Sequence, residues 1–431
     1  MLVFLSDLHF TDGTVGKGHN VSLKAFTGAF EDIKNYCKKA SELKIILLGD
    51  IFDLNRTTDW LKKDLSERPW GDVEKKKVEI GDHALNILQN IINDKDNSQV
   101  FDFFRNSLPT LMPIDFQIIY IPGNHDRLCN LYPLLRKKVR EALGIPVNDI
   151  PFSHVFDDPD TYRVRAMHGH EYDVMNYEGA PHVSESNYEQ APIGDLITTE
   201  IAARLPQAIM NHVNEISPPM QNDKKTKLEK NLQEIDNIRP YSALFEWVFY
   251  QVRENSKIKK EINEAIKEVL RNFEQIPYLQ RWYKRHDKWN FTSDEADKLQ
   301  NILRLAKLVD IDSAESILKL YFKLFGSPDD LPLEKGDLEL RDAAVKFFTS
   351  TSQYQYMVMG HTHNPMQCPV RITSAGKEQV YLNTGTWRAK YIKGIQNGFV
   401  NLKTLSYVII YSQEENPTQR FETWTGTLKE E

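Results

Sequence analysis

The sequence predicts an α/β fold interrupted by a large helical insertion. Three observations carry that expectation. Short apolar runs (Leu2–Leu5, Ile45–Leu48 and Phe116–Ile121) alternate with helix-period stretches, as parallel strands joined by crossover helices do. Residues 174–335 then show much helix pattern and little strand pattern. From Val370 onward the chain returns to β-type runs separated by turns at Gly376, Gly385 and Gly394.

The bulk numbers fit a globular protein with a substantial core. Of 431 residues, 41% are hydrophobic and 27% charged, so the chain exceeds one ordinary domain. A net charge of -7 gives no global attraction for nucleic acid. Cys37, Cys129 and Cys368 lie far apart and form no CxxC pair. That excludes a disulfide scaffold and a thiolate zinc site, and suits a reducing compartment. The start is interrupted by Asp7 too soon for a signal peptide, and no apolar run approaches the roughly 18 residues of a membrane span. The expected location is the cytoplasm.

Leu2–Leu5 reads as a first buried strand, ending in Ser6-Asp7-Leu8-His9. A helix over 22–43 follows from the spacing of Leu23, Phe26, Phe30, Ile33 and Tyr36. The next strand ends in Gly49-Asp50-Ile51-Phe52-Asp53, completing a parallel βαβ unit. Residues 54–80 read as an irregular polar loop. Helices follow over 82–93 and 100–108, and then the strand Phe116–Ile121, which runs into Gly123-Asn124-His125-Asp126. A basic helix covers 131–142. Tyr162–Met167 alternates like a strand and ends in His168-Gly169-His170-Glu171. Within the insertion, 257–273 and 294–309 have helical spacing. A helix over 337–349 leads back to a strand at 355–359, which ends in Gly360-His361-Thr362-His363-Asn364-Pro365. Strands at 370–373, 379–383, 398–402, 407–411 and 421–425 read as an antiparallel meander forming or extending a second sheet.

Ligands on open α/β sheets collect at the carboxyl ends of strands. Here five such ends carry metal-type donors: Asp7 and His9; Asp50; Asn124 and His125; His168; His361 and His363. A single histidine at a strand end is ordinary, but five of the chain's twelve histidines at or beside these ends are not. Mixed carboxylate, amide and imidazole donors suit manganese, iron or zinc better than magnesium or calcium. Asp7, His9, Asp50, Asn124, His168, His361 and His363 are too many for one ion, and suffice for two if one carboxylate bridges them. Such a pair activates a shared water and clamps both ends of a displacement at phosphorus.

Ser-Asp-Leu-His, Gly-Asp-Ile-Phe-Asp, Gly-Asn-His-Asp, Met-His-Gly-His and Gly-His-Thr-His-Asn-Pro resemble the five ordered signatures of the calcineurin-like metallophosphoesterases. The resemblance covers residues 1–170 and 335–390. It implies a four-layer αββα sandwich and two divalent metal ions, with manganese the first expectation and iron or zinc the alternatives. It implies that Asp7, His9 and His363 hold one ion and that Asn124, His168 and His361 hold the other, with Asp50 bridging. Family members attack phosphorus with a metal-bridging hydroxide. By resemblance, His125 would be the leaving-group acid, and Asp53 would pair with it. A neighbouring carboxylate raises a histidine pKa, as an acid at neutral pH requires. Asp126 and His170 are weaker candidates, as orienting, substrate-binding or pocket groups, and Asp173 is expected behind the ligands or in the pocket.

Three substrate branches compete. The protein Ser/Thr phosphatases carry a glycine and an arginine where this chain has Phe10 and Leu54. The UDP-diacylglucosamine pyrophosphatases of lipopolysaccharide synthesis share three of the motifs, but carry arginine in place of His125 and are shorter. Phosphodiesterases and DNA-repair nucleases combine Gly-Asp-x-Phe-Asp with Gly-Asn-His-Asp, as here, but place their extra domain after the core. A phosphodiesterase acting on nucleotide or nucleic-acid substrates is the leading expectation. A pyrophosphatase or phosphomonoesterase is the alternative. A scaffold binding a partner through the insertion would lack metal ligands, and all seven are present.

The expected organisation is a core over 1–173, a helical insertion over 174–335 that caps the site, and the remaining core over 336–431. In the insertion, Arg281–Trp289 interleaves cations with aromatics. That pattern fits either a single-strand-binding surface or an amphipathic helix burying Trp282, Tyr283 and Trp289. Lys224, Lys225, Lys227 and Lys230 read as a solvated basic segment.

Overall fold

The computed structural model describes residues 1–15, 21–71, 73–217, 219–239, 244–252, 256–286, 335–394 and 398–427. The expected helix over 294–309, and the end of the Arg281–Trp289 stretch, lie outside these residues.

The chain begins β1 (Leu2–Leu5), helix Leu23–Tyr36, β2 (Leu43–Leu48), and later β3 (Phe116–Ile121). β1 lies parallel to β2, with Val3 opposite Ile45, and β2 lies parallel to β3, with Ile45 opposite Ile118. β4 (Val155–Asp158) and β5 (Val164–Met167) form a hairpin. β6 (Ile238–Arg239) lies within the stretch expected as an insertion. After the helix Lys335–Ser350 come β7 (Tyr356–Met359), β8 (Met366–Ile372), β9 (Glu378–Asn383), β10 (Ala389–Lys393), β11 (Phe399–Ile410) and β12 (Phe421–Thr427).

Among the described residues these strands make two sheets. One has the order β3-β2-β1-β11-β10-β6, with β12 on β11, and the other has the order β4-β5-β7-β9-β8. The sheets stack face to face. Leu2, Phe4, Ile46, Leu48 and Ile121 of the first pack on Val164, Ala166, Tyr356, Val358 and Leu382 of the second. Because side chains alternate along a strand, Val3, Leu5, Ile45 and Leu47 point the other way. They pack beneath helical residues such as Phe26, Phe30, Leu88 and Phe104. Met167, Met357, Met359 and Tyr381 likewise meet Leu340, Ala344 and Phe348 of helix Lys335–Ser350. The result is four layers, helix–sheet–sheet–helix. Strands buried on both faces explain the unbroken apolar runs.

Several expected bounds shift. The first helix stops at Tyr36, with a single tight turn to Lys39, because Leu43 already pairs with Phe116 through Leu43–Leu48 on the second strand. The loop expected over 54–80 contains the start of a helix, Val73–Asn93, whose backbone leaves helical geometry at Lys76. The C-terminal strands are not one meander on a second sheet. The strands expected at 398–402 and 407–411 are one strand, β11, running antiparallel beside β1 in the first sheet, with Val3 opposite Ile409. Only β8 and β9 extend the second sheet, and β9 is parallel to β7.

The described residues of 174–335 contribute most of one apolar cluster, including Ile209, Val213, Trp247, Ile262, Phe273 and Trp282, which also takes in Trp70 and packs against Tyr391 and Phe399. Helix Ser256–Glu274 packs on helix Leu205–Asn214. Trp282 and Tyr283 are buried on helix Pro277–His286, so within the described residues this stretch reads as an amphipathic helix. Lys224, Lys227 and Lys230 are exposed on helix Asn222–Leu232.

Candidate active site

All five motif loops meet at one edge of the stacked sheets. The backbone turns sharply there. Asp7, His9, Asp50, His361 and His363 all have positive φ, between 48° and 70°. Non-glycine residues adopt this conformation rarely and at a cost, and such positions cluster at functional sites. Two motif glycines are present for lack of space. A Cβ on Gly49 would stand 2.3 Å from His168 Nδ1, and one on Gly123 would stand 2.3 Å from Asp50 Oδ1.

Among the described residues three groups of donors converge, each with atoms mutually within 4.8 Å: a first, Asp7, His9 and His363; a second, Asp50, His168 and His361; and a third, His9, Asp53 and His125, which overlaps the first. In the first, His9 Nε2 faces His363 Nε2 across 3.0 Å, and His363 Nε2 lies 3.2 Å from Asp7 Oδ1. Asp50 Oδ2 lies 3.2 Å from His168 Nε2 and 3.7 Å from His9 Nε2, so one oxygen sits between the groups. The other oxygen, Oδ1, accepts from the His125 backbone N–H at 2.9 Å. His168 Nδ1 donates to the Leu48 carbonyl at 2.8 Å, which points Nε2 inward, where its lone pair becomes available once its proton is displaced.

The chemistry of the cluster fits cations. Asn124 Oδ1 and His361 Nδ1 are buried and have no hydrogen-bond partner among the described residues, while the buried Asp7 Oδ1 and His168 Nε2 meet only the charged groups named above. Buried polar atoms left without a hydrogen bond are costly. Burial pushes the Asp7 carboxyl up, yet the imidazoles of His363, His168 and His9 hold it well below the usual carboxylate range. Asp50 is lowered too, burial being outweighed by His168, His125 and His9. Burial pulls His168 down, but Asp50 and Asp7 raise it to about 10. His9 is raised to about 9 against its burial, by Asp53, Asp7 and Asp50. Protons on these imidazoles thus balance carboxylates that metal ions would neutralise.

His125 stands at the rim, 16% exposed, with Nδ1 2.8 Å from Asp53 Oδ1. The other Asp53 oxygen, Oδ2, lies 3.1 Å from His9 Nδ1. One carboxylate therefore orients both rings, and the link to His9 could not be read from motif spacing. Burial raises the Asp53 carboxyl, but His125 and His9 hold it well below its ordinary value.

The structure corrects two weaker expectations. Asp126 does not face the site. It is fully buried and accepts from the backbone N–H groups of Ile51 at 3.0 Å and Gly123 at 2.5 Å, tying two motif loops together. Burial and the Asp50 charge push it up to about 6. His170 is 4% exposed and packs behind His168 and His361 among Tyr177 and Tyr188, out of reach of a substrate. The sequence reading also missed Asn176 and Asp195, which no motif contains. Asn176 Oδ1 accepts from Asn124 Nδ2 at 3.2 Å, and Asp195 accepts from Asn55 and Arg127, each at 2.8 Å.

A family model described as calcineurin-like phosphoesterase matches residues 1–238, more than half of the chain. The chain belongs to the calcineurin-like phosphoesterase family. It is a metal-dependent phosphoesterase with a hydrolase's site, in a family whose members depend on a dinuclear metal centre. No match is found among curated proteins. Among the described residues, no helix of this phosphoesterase is long and apolar enough to cross a membrane.

Proposed function

We propose that the protein is a dinuclear metal-dependent phosphodiesterase acting on nucleotide or nucleic-acid diesters. The observation that carries this is His125, held by Asp53 at the rim of two donor groups that share Asp50. Asp7, His9 and His363 would hold one ion, Asn124, His168 and His361 the other, and Asp50 both. The mixed oxygen and nitrogen donors support manganese, with iron or zinc as alternatives. When bound, two such ions supply Lewis-acid activation of water and neutralise the phosphoryl charge.

The protein's own groups do the rest. Asp53 accepts from His125 Nδ1, which fixes the orientation of the ring. From there His125 donates a proton to the departing alkoxide, a poor leaving group that gains most from an acid. Phe10 and Leu54 are fully buried, which supports a diester over a monoester dianion gripped by an arginine at such a place. The core would comprise 1–173 and 336–431, and the insertion over 174–335 would select substrates. An apolar cluster drawn mostly from that stretch, joined by Trp70, Tyr391 and Phe399 of the core segments, supports a packed insertion seated on the core. The free, dispersed cysteines support a reducing, cytoplasmic setting.

The test is metal-stripped protein reconstituted with Mn and assayed on alkyl and p-nitrophenyl diesters, p-nitrophenyl phosphate, single- and double-stranded DNA, and a nucleotide-sugar diphosphate. Diester cleavage is expected. His125→Ala should lose about 10²–10⁴-fold on alkyl diesters and much less on p-nitrophenyl diesters, whose leaving group needs no proton. Equal losses on both would sink the acid role, and cleavage of the diphosphate alone would make the protein a pyrophosphatase.

A further inference from the structure

The turn that leaves the second sheet grips two donors of the second group by the atoms they do not offer a metal. His361 Nε2 lies 3.0 Å from Asp173 Oδ2. A carboxylate only accepts, so this nitrogen carries the proton and Nδ1 keeps its lone pair. Asn124 donates through Nδ2 to Asn176 Oδ1 at 3.2 Å, which turns its own Oδ1 towards the site. Both freed atoms, His361 Nδ1 and Asn124 Oδ1, are buried without a hydrogen-bond partner among the described residues. Asn176 Nδ2 in turn donates to Asp173 Oδ2 at 2.7 Å, so a single oxygen receives both His361 and Asn176.

This pair is held from behind by the insertion. Asp173 Oδ1 accepts from the Met175 N–H at 2.8 Å, fixing the turn. The Gly194 N–H donates to the Met175 carbonyl at 2.7 Å, at the start of helix Ile193–Ile197. A Cβ on Gly194 would stand 2.3 Å from Asn176 Oδ1, so only glycine lets the helix approach so closely. The next residue, Asp195, takes hydrogen bonds from Asn55 and Arg127, each two residues beyond the Asp53–His125 pair.

We propose that Asp173 and Asn176 are positioning residues for the second metal site, a clip that commits His361 Nδ1 and Asn124 Oδ1 to one ion. The proposal rests on the dinuclear reading of the site. Neither residue touches substrate, and each acts through the donor it holds. Loss of such a partner costs metal affinity because the amide can flip and the imidazole can rotate or change tautomer. In the first group, His9 is instead held by Asp53.

Calorimetric titration of the metal-free protein with Mn, together with metal analysis and electron paramagnetic resonance, tests the clip. The wild type should bind two ions and show a spin-coupled Mn pair. Asp173→Ala and Asn176→Ala should bind one ion as tightly as wild type and the second about 10–100-fold more weakly, with the spectrum of isolated Mn at one equivalent. Asp173→Asn keeps an oxygen that accepts from His361 and should recover most of the second affinity. If Asp173→Ala fails to fold, Asn176→Ala and Asp173→Asn carry the test. Two unchanged affinities in the variants would overturn the clip. So would parallel weakening of both sites with a lowered melting temperature of the metal-free protein, the mark of a merely structural role. A wild type that binds a single ion would instead defeat the dinuclear reading.

Discussion

The two donor groups are built differently. The first is held by an adjoining motif and by β10. His9 is held by Asp53 from the adjoining motif, and Lys390 of β10 donates to the His363 carbonyl and, at 3.2 Å, to Asn364 Oδ1. The second leans outward, since two of its donors depend on the turn at 173–176 and on the helix Ile193–Ile197 behind it. The first group reaches the 174–335 stretch indirectly, through β10 paired with β6, whereas the second has a donor, Asn124, bonded directly to Asn176 in it. An ion at the first should bind more tightly than an ion at the second.

The largest effect is expected at the residue both groups share. Asp50→Asn removes a charge from an oxygen facing His9 and His168, and should cost turnover about 10³-fold or more, with loss of metal content. Metal analysis beside a diester assay checks this, and full activity in the variant would remove Asp50 from its bridging role. Asp53→Ala comes next, at about 10²-fold or more, because one carboxylate serves both a donor of the first group and His125. If it lowers turnover while leaving Mn affinity intact, the His9 contact is dispensable and the first group is less self-contained than it looks.

Proton competition separates the groups further. The folded, metal-free protein holds protons on His9 and His168, raised to about 9 and about 10 from an ordinary 6.5. A raised folded-state value means these imidazoliums stabilise the metal-free fold fully below about pH 6.5. That contribution is lost as pH rises through 9 and 10. Metal must displace the same protons, so its affinity should climb by up to about tenfold per pH unit for each proton released, and level off near pH 10. Calorimetry in buffers of different ionisation enthalpy counts the protons, one for each group. An affinity flat between pH 7 and 9 would contradict the charge balance described for the cluster.

Much of the site was legible because each donor ends a buried strand in a short motif, and strand ends of a parallel sheet meet at one edge. The Asp53–His125 contact was expected from the family resemblance. The Asp53–His9 contact was not, since it depends on how two loops approach each other in space. Asn176 and Asp195 were hidden for a different reason: an Asn or Asp in a loop is ordinary turn chemistry until a buried partner is seen. In the fold, β1, β2 and β3 were readable from apolar runs. The destination of β11 was not, because a half-buried strand pairs with whichever sheet edge tertiary packing offers, here the free edge of β1. Asp126 misled because its place beside His125 says nothing of direction, and its carboxylate points back to Ile51 and Gly123.

The smallest effect on chemistry should come from deep in the insertion, where the contrast between the groups meets its limit. Ile262 is fully buried on helix Ser256–Glu274, which packs on helix Leu205–Asn214. Ile262→Ala leaves a cavity there and should cost about 2–5 kcal/mol of local stability. Hydrogen exchange should therefore quicken through 205–274 while β1, β2 and β3 keep their protection. If only the short helix Ile193–Ile197 connects the insertion to the second group, turnover of a small p-nitrophenyl diester should stay within about twofold, as for distant sites that share no partner. A matching fall in second-site Mn affinity would mean that the whole insertion core, and not its first helix alone, holds Asn176 against Asn124.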